Sequence, residues 1–273
     1  MTASNKPKYD KYYTKSHISS SCIEFFVEHI QIDNNDIVIE PSAGNGAFSK
    51  HLFKLFKNVF AYDILPEHED IIEQDFLSLN IPQKWTKNSI HIIGNPPFGK
   101  QSSLVRQFIR KCCLFVDSIG FILPNSFKKI YAQRIFPPTF HLVSEMDIPP
   151  NSFTSSDSTI TYNISCTFQV WKRDTCHAPR IISKSFSKFF TFTNRTNADF
   201  SIRRVGVNVG RISKDVNQNT TTHYFIKLLP SIPLNYFFEL FNTLTFPTDT
   251  SVGPPYINKY ELIHITNKLN ILY

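Results

Sequence analysis

The chain has 273 residues, 41% of them hydrophobic and 19% charged, which supplies a packed core and argues against a disordered tail protein. Its 29 Lys and Arg against 22 Asp and Glu leave a net charge of +7, a balance that admits nucleic acid as a partner. No apolar run is long enough for a membrane span and the polar start lacks a secretory apolar region; five cysteines without CxxC or zinc spacing point to a reducing, intracellular setting with no metal centre.

The spacing predicts a helix over residues 19–30. A short buried strand follows at 36–40, then a helix over 47–57 with apolar residues at Phe48, Leu52, Leu55 and Phe56. Strands are expected at 59–63, more weakly at 71–76, and at 89–94. A helix is expected over 102–116 and a strand at 119–123. Two further strands, 142–148 and 161–171, flank a loop rich in Pro, Ser and Thr. Alternating β and α elements with short links predict an α/β fold: a mostly parallel Rossmann-like sheet with helices on both faces and an antiparallel edge strand. After residue 173 the pattern changes to short β-like runs, 180–182 and 200–204 among them, with helices expected over 235–242 and 258–268. The expected division is a domain at 1–173 and a small α+β region at 174–273.

That second region is the more basic one. It carries 11 basic and 6 acidic side chains. Within 180–214 stand Arg180, Lys184, Lys188, Arg195, Arg203, Arg204, Arg211 and Lys214 against one acid, Asp199. A solvated surface gives such a run, and so does a phosphate-binding face.

The chemistry concentrates where predicted strands end. At the first place Glu40 closes a buried strand, and Pro41, Ser42, Ala43, Gly44, Asn45 and Gly46 form a glycine turn into a helix. Such a turn lets a ligand approach the backbone, and the carboxylate takes hydrogen bonds from a cationic or hydroxylic group. Asp63 ends the next strand, where a carboxylate can hold ribose hydroxyls. Asp75 with Phe76 follows the third strand; a turn or cap aspartate is the plain alternative. At the second place Gly94, Asn95, Pro96, Pro97, Phe98 and Gly99 follow an apolar strand. Two prolines fix φ and remove two N–H donors. The rigid turn presents an amide, a carbonyl and a ring, which together suit a planar amino group.

The order Glu40, Gly44, Gly46, Asp63, Asp75-Phe76 and Asn-Pro-Pro-Phe resembles class I S-adenosylmethionine-dependent methyltransferases, and among them the adenine-N6 amino-methyltransferases of DNA. The resemblance extends over about residues 10–173. Tyr12-Tyr13-Thr14-Lys15 resembles the segment ahead of the cofactor loop, Phe121–Ser126 the fifth-strand motif, and Pro150–Phe153 with Thr167–Trp171 the loop and strand behind the target base. The resemblance implies S-adenosylmethionine as cofactor. Glu40 would bind its methionine amino end, Ser42, Ala43, Gly44 and Gly46 would pass beneath it, and Asp63 would hold the ribose. Asp75 and the Phe76 amide would hold its adenine, and Tyr13 and Thr14 would close over the methionine end. Asn95 and Pro96, with Pro97 and Phe98, would form the catalytic turn, with Phe98 stacking on a flipped base; Phe153 is a candidate for the opposite or edge contact, a loop aromatic covering the core being the plain alternative. Lys100, Arg203, Arg204 and Arg211 are expected to meet nucleic acid, DNA rather than RNA. Glu at 40, Lys at 15 and Phe at 98 depart from the commoner Asp, Pro and Tyr. The same turn also serves RNA methyltransferases and enzymes that methylate protein glutamine, and a non-catalytic nucleic-acid-binding subunit is a further alternative.

Overall fold

A computed structural model describes residues 12–155, 159–176, 186–246 and 254–269. The chain divides into two units: unit 1 is Met1–Pro124 with Ile135–Ile181, and unit 2 is Asn125–Arg134 with Ile182–Tyr273. The division falls later than residue 173, and a short excursion after Pro124 groups with the second unit.

In chain order the elements are β1 (Tyr13–Thr14), α1 (Ser16–His29), β2 (Ile37–Glu40), α2 (Ser49–Leu55), β3 (Val59–Asp63), β4 (Ile72–Glu73), β5 (Ile90–Gly94), α3 (Ser103–Cys112) and β6 (Ser118–Pro124). Then come α4 (Ile130–Gln133), β7 (Phe140–Asp147), β8 (Phe153–Thr154), β9 (Thr161–Tyr162) and β10 (Cys166–Arg173). The remainder are β11 (Phe190–Thr193), β12 (Phe200–Arg203), β13 (Ile212–Ser213), β14 (His223–Leu228), α5 (Leu234–Phe241) and α6 (Lys259–Thr266). Among the described residues no helix is long and apolar enough to cross a membrane.

Unit 1 is built on a seven-stranded sheet of order β4-β3-β2-β5-β6-β10-β7. Strands β2 to β6 pair in parallel, and β10 pairs antiparallel with both β6 and β7. The antiparallel strand therefore lies one place in from the edge. Central strands buried on both faces need near-continuous apolar runs; every residue of β2, β5 and β6 is buried. Helix α1 lays Ile18, Cys22, Ile23 and Phe26 against the sheet, with a spacing that keeps them on one face. Gly120 of β6 makes room for that contact: a Cβ there would lie 2.5 Å from Phe26 Cδ2 and 2.8 Å from Phe168 Cζ.

The run 161–171 is not one strand. It breaks after Tyr162, so that β9 and β10 join different sheets. β9 completes a small antiparallel sheet of order β1-β8-β9, in which Thr14 stands opposite Phe153. The weak third strand shortens to β4, and Phe76 instead opens a 3-10 turn capped by Asp75.

Unit 2 holds an antiparallel sheet of order β11-β14-β12-β13. Its core is aromatic: Phe200, Phe237 and Phe241 are buried together with Ile202, Ile226 and Leu262. The Asn125–Arg134 segment is tied in by Lys129, whose Nζ donates to Tyr256 O at 2.8 Å and lies 3.3 Å from Glu261 Oε2. Glu261 also completes a capping box with Asn258 at the start of α6. The expected strand at 180–182, with Arg180 and Lys184, lies outside the described residues.

Candidate active site

In an open parallel sheet, ligands bind outside the carboxyl ends of the strands. A cavity of about 450 Å³ lies there, and its walls include residues from the ends of β2, β3 and β5. Strand β2 delivers Glu40, and the following turn brings Ser42, Ala43 and Gly44 into the lining. Gly44 has φ +53, and a Cβ there would stand 3.3 Å from Tyr13 Cε1. Glycine thus serves both the left-handed turn and the close approach of the ring. The loop is held from several sides. Asp63 Oδ2 accepts from the Gly44 amide at 2.8 Å, while its Oδ1 accepts from the Leu65 amide at 2.8 Å. The Glu67 amide donates to the Gly44 carbonyl at 3.0 Å, and the Tyr13 hydroxyl donates to Glu67 Oε1.

Glu40 is buried beneath this loop, and burial pushes its carboxyl well above the ordinary range. Hydrogen bonds from Ser49 and the Phe48 amide oppose that rise, and the Asp63 charge adds to it. Its Oε2 has no partner among the described residues. Burial and the Glu67 hydrogen bond and charge push the Tyr13 phenol upward as well. Asp75 spends one oxygen as a cap, accepting from the Leu77 amide at 2.9 Å, and still borders the cavity. Phe76 buries its ring against Phe108, centroids 5.7 Å apart and 14° from parallel.

The second wall is the Asn-Pro-Pro-Phe turn after β5. Gly99, at φ +67, ends it where a Cβ would lie 2.8 Å from Leu104 Cβ. The Phe98 carbonyl accepts from the Leu104 and Val105 amides at 3.1 and 3.3 Å, which fastens the turn to the start of α3. The Asn95 carbonyl accepts from Ser42 Oγ at 3.3 Å, joining the two loops. Asn95 Nδ2 donates to Thr14 Oγ1 at 3.1 Å, and Asn95 Oδ1 is buried with no partner among the described residues. The Pro96 carbonyl also accepts from no described residue. The turn therefore offers two open acceptors beside the Phe98 ring. Phe153, 1% exposed, both packs in the core and lines the cavity.

Fourteen of the expected residues thus meet at one cavity: Tyr13, Thr14, Glu40, Ser42, Ala43, Gly44, Asp63, Asp75, Phe76, Asn95, Pro96, Pro97, Phe98 and Phe153. Gly46 is outside the lining; its amide donates to the Ala43 carbonyl at 2.8 Å and it closes the turn. Lys100 is exposed just beyond Gly99 and is also outside the lining. Arg203, Arg204 and Arg211 belong to unit 2. Arg211 is exposed, Arg203 donates from Nε to the Val205 carbonyl at 3.1 Å, and the Arg204 guanidinium lies 4.9 Å from the Tyr224 ring centre. The sequence reading missed Tyr12, Leu104, Phe108 and Ile164 as lining residues. Leu104 and Phe108 were accessible in principle, since four-residue spacing puts both on one face of α3.

Residues 3–135 match the ribosomal RNA adenine dimethylase family. Over these residues the chain is similar to class I S-adenosylmethionine-dependent methyltransferases that act on adenine. Among curated relatives, the chain is similar to an rRNA methyltransferase of Streptomyces thermotolerans, 28% identical over 101 residues, 32% of this chain and 32% of that protein. It is also similar to the Type II methyltransferase M.HincII of Haemophilus influenzae, 29% identical over 109 residues, 38% of this chain and 20% of that protein. The match thus spans about a third of the first relative and a fifth of the second. Among solved structures, the 23S rRNA methyltransferase ErmE matches with a TM-score of 0.41 at 15% identity, over 61% of this chain and 68% of that chain.

S-adenosylmethionine is the cofactor of this domain, and the cavity suits it. A buried carboxylate oxygen without a partner among the described residues fits an ammonium group, carboxylates at successive strand ends fit hydroxyl and amino groups, and the volume lies within the range of cofactor sites.

Proposed function

We propose that the protein transfers a methyl group to the exocyclic N6 amine of adenine in a nucleic acid. The observation that carries this reading is the pair of open acceptors on the turn, Asn95 Oδ1 and the Pro96 carbonyl, beside the Phe98 ring. When bound, S-adenosylmethionine would supply an electrophilic methyl carbon on its sulfonium, the carbon–sulfur bond pair staying on sulfur so that the neutral thioether S-adenosylhomocysteine is the leaving group. Glu40 would hold the amino end of the cofactor, the Ser42–Gly44 backbone would pass beneath it, Asp63 would take the ribose hydroxyls, and Asp75 with the Phe76 amide would take the adenine.

The amine of adenine is a poor nucleophile because its lone pair is delocalised into the ring. Accepting its two hydrogens at Asn95 Oδ1 and the Pro96 carbonyl shifts density to nitrogen. As the amine attacks, positive charge builds on it, and the two fixed dipoles stabilise that charge without reorganising. Alignment does most of the remaining work, and no strong base is needed; the proton leaves to water after transfer. Phe98 stacks on the base, and Phe153 supports the other side. A base inside a duplex cannot reach this turn, so the target is flipped or already unpaired. Stacking on an aromatic ring offsets about 1–3 kcal/mol of the flipping cost.

The polymer has two readings. The likeness to the Type II methyltransferase M.HincII supports DNA, the polymer expected from the sequence. The match to the rRNA adenine dimethylase family, which takes in both the cofactor loop and the catalytic turn, favours RNA. The deciding experiment presents single-stranded DNA, double-stranded DNA and structured RNA side by side with labelled cofactor, followed by nucleoside mass analysis. N6-methyladenine, mono- or dimethylated, from any of them supports the proposal. Label on protein glutamine, or on none of the three polymers, contradicts it.

A further inference from the structure

The amide of Asn95 has two ends of similar shape and opposite chemistry. Only its oxygen can accept a hydrogen from the target amine; the NH2 end would set donors against donors. Rotation about the terminal torsion exchanges the two ends, and that torsion is intrinsically soft. The turn's own backbone does not choose between them, because the Asn95 main-chain carbonyl is already engaged by Ser42 Oγ at 3.3 Å. The orientation present is the one in which the small sheet accepts from the amide. Asn95 Nδ2 donates to Thr14 Oγ1 at 3.1 Å, which leaves Oδ1 buried and without a partner among the described residues. Thr14 is itself fixed, being buried in β1 opposite Phe153, with the next amide, Lys15, donating to the Ser152 carbonyl at 3.0 Å.

We infer that Thr14 is a positioning residue, whose hydroxyl oxygen holds the Asn95 amide with Oδ1 presented to the target amine. Its role differs from the contact to the methionine end that the sequence resemblance implies. The inference rests on the proposed adenine chemistry. It also gives the short β1-β8-β9 sheet a function, since that sheet carries the hydroxyl to the turn.

The test compares Thr14→Val, which keeps the shape and removes the hydroxyl, with Thr14→Ser, which restores it. Thr14→Ala serves as a second hydroxyl-free variant should the valine fail to fold. Single-turnover methyl transfer is measured with cofactor and nucleic acid saturating, on the polymer the wild-type protein methylates, with cofactor affinity measured separately by calorimetry. The expected result is a loss of about 10–100-fold in rate for the hydroxyl-free variant, the cost of a misplaced group. Cofactor affinity should be unchanged, and the serine should recover most of the rate. In an Asn95→Ala background, removing the hydroxyl should add no further loss. A rate that returns to wild type at high cofactor, with weakened cofactor affinity, assigns Thr14 to the cofactor and overturns the inference. So does an unchanged rate, or equal loss in the serine variant. A wild-type protein that makes no N6-methyladenine sinks the functional proposal and this inference with it; a fully active Thr14→Val sinks this inference alone.

Discussion

Glu40 shows how much one buried side chain can couple. It ends a strand buried along its whole length, and its Oε2 has no partner among the described residues. A carboxyl whose folded-state pKa is raised holds its proton more tightly folded than unfolded. The contribution of Glu40 to the stability of the cofactor-free protein is therefore full at low pH and is lost as pH rises above the ordinary carboxylate range toward the raised value. Glu40→Gln should flatten that part of the pH–stability curve. The same substitution should weaken cofactor binding by about 10-fold or more, the loss expected when a hydrogen bond to a charged group is removed. Thermal midpoints across a pH series, paired with cofactor titrations, check both; a variant with the wild-type pH slope and wild-type affinity would remove Glu40 from the site. The sequence made this residue legible because an acid closing an apolar strand before a glycine turn is conspicuous. Asp75 offered two readings, a cofactor contact and a turn or cap aspartate, and it both caps Leu77 and borders the cavity; the strand-like run 71–76 concealed only where the strand stops.

Among the elements, the central strands β2, β5 and β6 were legible because both faces are buried and their sequences are near-continuous apolar runs. The β1-β8-β9 sheet was not, because two-residue strands have no period to read. The break at residues 163–165 was hidden for the same reason: 161–171 reads as one strand, yet Ile164 leaves the ladder and borders the cavity. The grouping of Asn125–Arg134 with unit 2 rests on contacts distant in sequence, such as Lys129 with Glu261, which local pattern does not carry. The packing of α1 onto β6 and β10 gives a sharp test of the scaffold. Gly120→Ala forces a Cβ to within 2.5 Å of Phe26 Cδ2. Rigid aromatic neighbours have little room to give, so the cost should be about 1–3 kcal/mol. Denaturant midpoints measure it, and an unchanged midpoint would contradict the packing described.

At the scale of the molecule, charge and chemistry sit in different units. The cavity belongs to unit 1, while Arg203, Arg204 and Arg211 belong to unit 2. Arg203 and Arg204 are half-buried and already engaged with Val205 and Tyr224, whereas Arg211 is exposed. Under the proposed function, Arg211→Ala should weaken nucleic-acid binding across sequences and lower the salt slope by about one counterion; a salt titration with the same slope as wild type would place Arg211 outside the interface. The whole account depends on the turn at Asn95, and the most direct measurement is methyl transfer by Asn95→Ala at saturating cofactor and nucleic acid, with both affinities determined independently. Loss of an oriented dipole from a charge-developing step predicts a fall of about 100–1,000-fold in rate with both ligands still bound. A variant that transfers methyl groups to adenine at the wild-type rate would contradict it.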